Sequence, residues 1–196
     1  MNKEKFLDIA VEAVITASNV VMEDFLKTKT PKYKGNIDLV TKTDLESEKI
    51  IKNIILSNYP SHSILAEETG ERITKSDFLW IIDPIDGTTN FVHGCTPFSI
   101  SIALFYKDEP LVSTVLELPN LKLYTAIKNI GAWCEGNSIN ASKTKNLKNS
   151  LLVTGFSYNH DDLWELNMLL FKELTRATQG VRRFGSAALD ICYVAE

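Results

Sequence analysis

Ser99-Ile100-Ser101-Ile102-Ala103-Leu104-Phe105-Tyr106, then Lys107-Asp108-Glu109-Pro110, then Leu111-Val112-Ser113-Thr114-Val115-Leu116-Glu117-Leu118, is the stretch that decides the fold. The first run alternates small or polar residues with Ile100, Ile102 and Leu104 before it turns fully apolar, and a period of two is the mark of a strand. The polar tetrapeptide reads as a turn, and Leu111 to Leu118 returns as a second strand. Leu121 to Ile127 and Ala132 to Cys134 follow, with Gly131 and Gly136 marking turns. Strands in direct succession with tight connections predict an antiparallel meander. Upstream, Ser63-Ile64-Leu65-Ala66 and Phe78-Leu79-Trp80-Ile81-Ile82 are shorter apolar runs of strand-forming residues.

Before these runs the period is helical. Phe6, Ile9, Ala10, Ala13, Val14, Ala17, Val20 and Val21 share one face, which predicts an amphipathic helix from Lys3 to about Leu26. Lys27 to Gly35, with Pro31, reads as a polar loop. Thr43-Asp44-Leu45-Glu46 has the form of a capping box ahead of Ile50, Ile51, Ile54 and Ile55, so a second helix is expected to start near Asp44 and to stop before Pro60. Two helices followed by a sheet predict an α+β domain over residues 1–140. Residues 141–150 are polar and read as a connection. A strand (Leu151 to Thr154), a helix (about Leu163 to Thr175) and a further helix opening near Ser186 predict a second α/β domain over 141–196. That second domain is expected to be incomplete, because Ala187, Ala188, Leu189, Ile191, Cys192 and Val194 still follow a helical pattern with neither a cap nor a returning strand before Glu196.

Composition narrows the function classes. The 196 residues carry 21 Lys+Arg against 25 Asp+Glu, a net charge of −4, with 44% hydrophobic residues, which is the make-up of a soluble globular protein rather than a disordered one. An acidic chain is a poor partner for nucleic acid or an anionic membrane surface, so neither is expected. Cys95, Cys134 and Cys192 are scattered and form no CxxC pair, which predicts reduced thiols and a cytoplasmic protein. Met1-Asn2-Lys3-Glu4-Lys5 is charged from the start, without the apolar core of a signal peptide, and no run approaches the ~18 apolar residues of a membrane span.

The densest chemistry is Asp83-Pro84-Ile85-Asp86-Gly87-Thr88-Thr89-Asn90, directly after an apolar strand. Glu67 and Glu68 follow Ile64-Leu65-Ala66 in the same way, and Asp38 and Asp44 flank Leu39-Val40. Each group alone has an ordinary reading: a turn for D-x-x-D, a helix cap for Asp44, a solvated loop for Glu67-Glu68. Together they predict one acidic site. Two like charges about 4 Å apart cost about 4 kcal/mol at an effective dielectric of 20, so such a site needs protons or cations. Oxygen ligands without His or Cys favour a hard ion, Mg²⁺, which completes its shell with water and substrate phosphate. Gly87-Thr88-Thr89 could supply backbone N–H groups to an anion and, through Thr88, a hydroxyl to a water. The D-x-D-G-T pattern of the haloacid-dehalogenase phosphatases, whose first Asp is a nucleophile, does not fit, because one inserted residue redirects the second carboxylate. That favours metal-activated water over an aspartyl-phosphate.

Trp80-Ile81-Ile82-Asp83-Pro84-Ile85-Asp86-Gly87-Thr88-Thr89-Asn90-Phe91 resembles the signature of the inositol monophosphatase family. Asp38-Leu39-Val40-Thr41-Lys42-Thr43-Asp44 and Leu65-Ala66-Glu67-Glu68-Thr69-Gly70 resemble two more of its motifs, in order. Arg182-Arg183-Phe184-Gly185-Ser186-Ala187-Ala188-Leu189-Asp190 is similar to its second-domain substrate loop and helix. The resemblance implies a layered α-β-α-β-α sugar-phosphatase fold, a homodimer, and Mg²⁺-dependent hydrolysis of small phosphate monoesters, inositol 1-phosphate first. It further implies that Glu67, Asp83 and the Ile85 carbonyl bind one metal and that Asp83 and Asp86 contribute to a second. By the same resemblance Thr88 with Glu67 positions the attacking water, and Asp44 supports a further metal or water. The Gly87 and Thr88 N–H groups hold phosphate, and Asp86 with Gly185, Ser186 and Ala187 faces the alcohol. The family's later Trp-Asp motif and substrate-contacting glutamate have no counterpart in these 196 residues, so a C-terminally truncated form is expected. Other sugar- or nucleotide-phosphate substrates and a non-catalytic regulatory role are the alternatives. Arg182-Arg183 could meet a second phosphate or be a surface or dimer-interface pair.

Overall fold

The computed structural model describes residues 2–27, 30–33, 39–156 and 162–196. In chain order the elements are α1 (Lys3–Phe25), β1 (Lys32–Tyr33), β2 (Leu39–Val40), α2 (Lys42–Asn58), β3 (Ser63–Ala66), β4 (Gly70–Arg72), β5 (Phe78–Asp86), α3 (Thr88–Val92), β6 (Phe98–Tyr106), β7 (Glu109–Leu118), β8 (Lys122–Ile127), β9 (Gly131–Cys134), β10 (Asn137–Ser138), β11 (Leu151–Val153), α4 (Asp162–Ala177), β12 (Gly180–Arg182) and α5 (Ala187–Ala195). Among the described residues the main sheet has eight strands in the order β10-β9-β8-β7-β6-β5-β3-β4. The meander expected from residues 99–134 is its centre, antiparallel from β5 through β10.

Period two decides which face is buried. Ile100, Ile102 and Leu104 of β6 are fully buried, as are Trp80 of β5 and Ile64 of β3. Against them lie α1, through Ala10, Ala13, Val14, Ala17 and Val21, and α2, through Ile51 and Ile55. The alanines let α1 approach the sheet closely, and each large apolar side chain contributes about 1.5–3 kcal/mol on burial. The opposite face carries Ser101, Val115 and Tyr124. There α5 packs on β6 and β7, and Leu189 joins Tyr124 and Cys134 in a second, smaller cluster. The strands β11 and β12 form a separate parallel pair linked through α4.

Four local expectations are corrected. The helix α2 opens at Lys42, and its capping box is Thr41 with Asp44, two residues before the expected Thr43 and Glu46. Thr41 has extended dihedrals, and its N–H donates to Asp44 Oδ2 at 2.8 Å, so a short aspartate at the third helical position closes the box. The turn before β7 is Lys107-Asp108 alone, with φ of 50° and 62°. Two left-handed residues suit the twist of a hairpin, and Glu109 and Pro110 already pair with Tyr106 and Phe105. The strand β3 joins β5 in parallel, which makes the sheet mixed. Short β4, β10 and β12 were not expected, nor was β1 within the segment read as a loop from Lys27 to Gly35, because so few residues without apolar alternation give no strand signal. Asp38 lies outside the described residues. No described helix is long and apolar enough to cross a membrane.

Candidate functional site

The site begins with an irregularity in β5. Asp83 pairs with Ser101 of β6 and Asp86 with Ser99, so three steps along β5 match two along β6. In a regular strand residues three apart point to opposite faces. The extra residue of this bulge reverses the parity and brings Asp83 and Asp86 to one side. Pro84, which has no N–H to lose, occupies the bulge, and its carbonyl accepts from the buried Ser47 hydroxyl of α2 at 3.1 Å. The Ile85 N–H donates to Asp83 Oδ1 at 3.2 Å. Next door in the sheet, β3 delivers Glu67, whose N–H donates to the Ile82 carbonyl at 3.2 Å.

Gly87 turns the chain out of β5. Its φ is +97°, and a Cβ there would stand 3.0 Å from the Gly185 carbonyl and 3.3 Å from Phe98 Cβ. Only glycine meets both demands, the left-handed backbone and the close approach. Gly87 caps the short α3, and Thr88 at its start donates from Oγ1 towards Asp44 Oδ1 (3.2 Å) and the Ile85 carbonyl (3.0 Å). Asp44 is fully buried. Burial raises its carboxyl, and the bonds from Thr41 and Thr88 pull the other way. Asp44, expected to support a metal or water, contacts the cleft residue Thr88 and does not itself line the cleft.

Asp86 makes the longest connection in the site. Its carboxylate accepts from Ser186 Oγ at 2.6 Å, Ala188 N at 2.7 Å and Ala187 N at 3.1 Å, so it sits at the N-terminus of α5. Helix dipole and unpaired N–H groups favour an anion there. Asn90 ties down the approach to that helix, donating to the Phe184 and Pro97 carbonyls at 2.7 Å each.

These elements enclose a cleft of about 230 Å³. Glu67, Asp83, Ile85, Asp86, Gly87, Thr88, Gly185, Ser186 and Ala187, nine of the ten residues expected at the site, line it. Burial first, then the charges of Glu67 and Asp86, push the Asp83 carboxyl up to about 9. Thr89, Gly155, Phe156, Arg183 and Asp190 line the cleft as well. Both arginines of the pair are exposed; Arg183 lines the cleft, with its guanidinium 5.4 Å from the Phe156 ring centroid, and Arg182 does not. Burial and Asp86 raise Asp190 to about 6, and its Oδ1 is buried without a hydrogen-bond partner among the described residues. A helical aspartate in an apolar run carries no local signal of a site, so sequence reading passes over it.

The donor chemistry decides what the cleft can hold. Among the described residues, no three His, Cys, Asp or Glu side chains are grouped to grip an ion by themselves. Glu67 and Asp83 form one interacting carboxylate pair, while Asp86 is tied to α5. Two carboxylates with the Ile85 carbonyl still suit Mg²⁺, which commonly takes one or two carboxylates and fills the rest of its shell with water and phosphate. The raised Asp83 carboxyl marks a crowd of negative charge that a divalent cation would relieve. The residues present fit such an ion.

Known proteins resemble this chain in sequence and in fold. The family model described as inositol monophosphatase family matches residues 2–196. The chloroplastic phosphatase IMPL1 of Arabidopsis thaliana is 44% identical over 96% of this chain, which spans 53% of that protein. An inositol-1-monophosphatase of Synechocystis is 41% identical over 98% of the chain and is itself 68% covered. The crystal structure of the extragenic suppressor protein SuhB from Bartonella henselae superposes with a TM-score of 0.92 at 30% identity, over 97% of this chain and 74% of that one.

Proposed function

Because this chain belongs to the inositol monophosphatase family, we propose that it is a Mg²⁺-dependent phosphomonoesterase, with inositol 1-phosphate as first substrate and water as the attacking group. Residues 1–140 carry the metal and phosphate site in this reading, and residues 141–196 carry the substrate loop of a second α/β domain. The supporting observation is that Glu67, Asp83 and Asp86 line one cleft with Gly87 and Thr88.

Glu67, Asp83 and the Ile85 carbonyl would hold one Mg²⁺, and Asp83 and Asp86 would contribute to a second. The chemistry such an ion would supply there is a lowered pKa of a bound water, neutralisation of the ester phosphate and stabilisation of the leaving alkoxide. The protein's own part is orientation. The Thr88 hydroxyl hydrogen points at Asp44 or the Ile85 carbonyl, which leaves its lone pairs to accept from the attacking water. Glu67 fixes that water from the other side. Gly87, without a side chain, lets the phosphate approach the backbone N–H groups of residues 87 and 88. Asp86 holds α5 in place, so the alcohol meets a wall of Gly185, Ser186 and Ala187 that is tied to the catalytic strand. Arg183 and Asp190 also line the cleft and would be available to the substrate's alcohol.

The test is phosphate release from inositol 1-phosphate with and without Mg²⁺. Hydrolysis is expected to require the ion and to be lost in Asp83→Asn; a variant as active as the parent chain rejects the mechanism.

A further inference from the structure

Beyond the reacting groups, α2 carries a charged side chain that the mechanism does not use. Glu48 of α2 is fully buried. A carboxylate in that position is costly unless every lone pair is engaged. Here Oε2 accepts from the Glu68 N–H at 2.8 Å, Oε1 accepts from the Thr69 hydroxyl, and Lys52 Nζ lies 3.6 Å from Oε1 one turn along the helix. Lys52 also donates to Thr69 Oγ1 at 2.7 Å, so the four groups close a ring between α2 and the segment after β3.

That segment carries Glu67. Its backbone is pinned on two sides: the Glu67 N–H is bonded to the Ile82 carbonyl of β5, and the next N–H, that of Glu68, to Glu48. The β3–β4 hairpin already has its own pairing, Ala66 with Gly70, and does not need a buried carboxylate to form. A charge-assisted bond to a single peptide plane next to Glu67 fixes the direction in which that residue's side chain leaves the strand.

We infer that Glu48 is a positioning residue: it sets the stance of Glu67, and through it the affinity of the cleft for a divalent cation. The inference rests on the phosphatase reading of the cleft. Partners that orient metal ligands typically change metal affinity by about 10- to 100-fold when removed.

The test uses the purified chain, with Mg²⁺ affinity read from the rise of the melting temperature along a Mg²⁺ titration, and stability read separately in chelator. Glu48→Gln keeps size but loses one acceptor. Thr69→Val removes the hydroxyl without touching the buried carboxylate, and Thr69→Ser restores it. Glu48→Gln and Thr69→Val are expected to weaken Mg²⁺ by about 10-fold or more, with Thr69→Ser close to the parent. Thr69→Val alone decides the matter if Glu48→Gln does not fold. Lower melting temperatures in chelator with unchanged Mg²⁺ affinity overturn the inference and leave the phosphatase reading standing. A parent chain that takes up no Mg²⁺ overturns both.

Discussion

The Asp83 carboxyl should destabilise the metal-free protein, and Asp83→Asn should relieve it. Burial and the neighbouring charges of Glu67 and Asp86 lift this carboxyl from 3.8 to about 9 in the folded chain. A folded-state value above the unfolded one means that the native state binds more protons across that interval, so stability falls as pH rises from about 4 towards 9. At pH 7 the solution lies about three units above the unfolded value, which at about 1.4 kcal/mol each gives a ceiling of about 4 kcal/mol. Neighbouring charge supplies only part of this shift, so the full ceiling is not reached, and about 2 kcal/mol is the expected gain for the amide. For a chain of this length that raises the melting temperature by about 4–8 °C. Asparagine keeps an oxygen to accept from the Ile85 N–H. The assay is thermal melting in chelator from pH 4 to 8, with and without added Mg²⁺. The two proteins should coincide near pH 4 and diverge towards pH 7, and Mg²⁺ should raise only the parent. An Asp83→Asn chain that gains nothing in chelator, or gains equally at every pH, refutes the reasoning.

Gly87→Ala should cost more than about 2 kcal/mol of unfolding free energy in a urea titration, because its Cβ would meet the Gly185 carbonyl at 3.0 Å on a left-handed backbone. Ile55→Ala, at a fully buried site between α2 and the sheet, should cost about 2–5 kcal/mol in the same urea titration. Thr88→Val should leave folding intact and reduce kcat by about 100-fold or more, since the water loses its acceptor. Burial holds the His62 imidazole below 6.5, and its Nδ1 accepts from Trp80 Nε1 at 3.1 Å. Folding stability present above pH 6.5 should therefore fall as pH drops below that value, and His62→Gln should flatten the drop in midpoints measured at pH 5.5 and 7.5.

Wherever a pattern repeated over several turns or strands, the sequence was readable. Phe6 to Phe25 on α1 and Ile100, Ile102 and Leu104 on β6 are buried as their spacing demands. The start of α2 lies two residues before the one its sequence suggests, because two Thr-led candidates overlap there and Thr41 is the one that adopts the extended cap conformation. The pairing of β3 with β5 depends on where the chain returns after β4, which no local pattern records.

By itself the sequence determined the oxygen-rich character of the site, the glycine at its turn and the periodicities that build the layers, because these are properties of residue type and near neighbours. Tertiary structure alone decided that Asp83 and Asp86 face the same way, since that needs a bulge measured against β6. It alone decided that Asp86 reaches the start of α5, a hundred residues on, and that Glu48 braces the segment beside Glu67. Those contacts join groups far apart in the chain, and their geometry is set by how strands and helices pack, which is a sum over the whole core rather than a property of any one stretch.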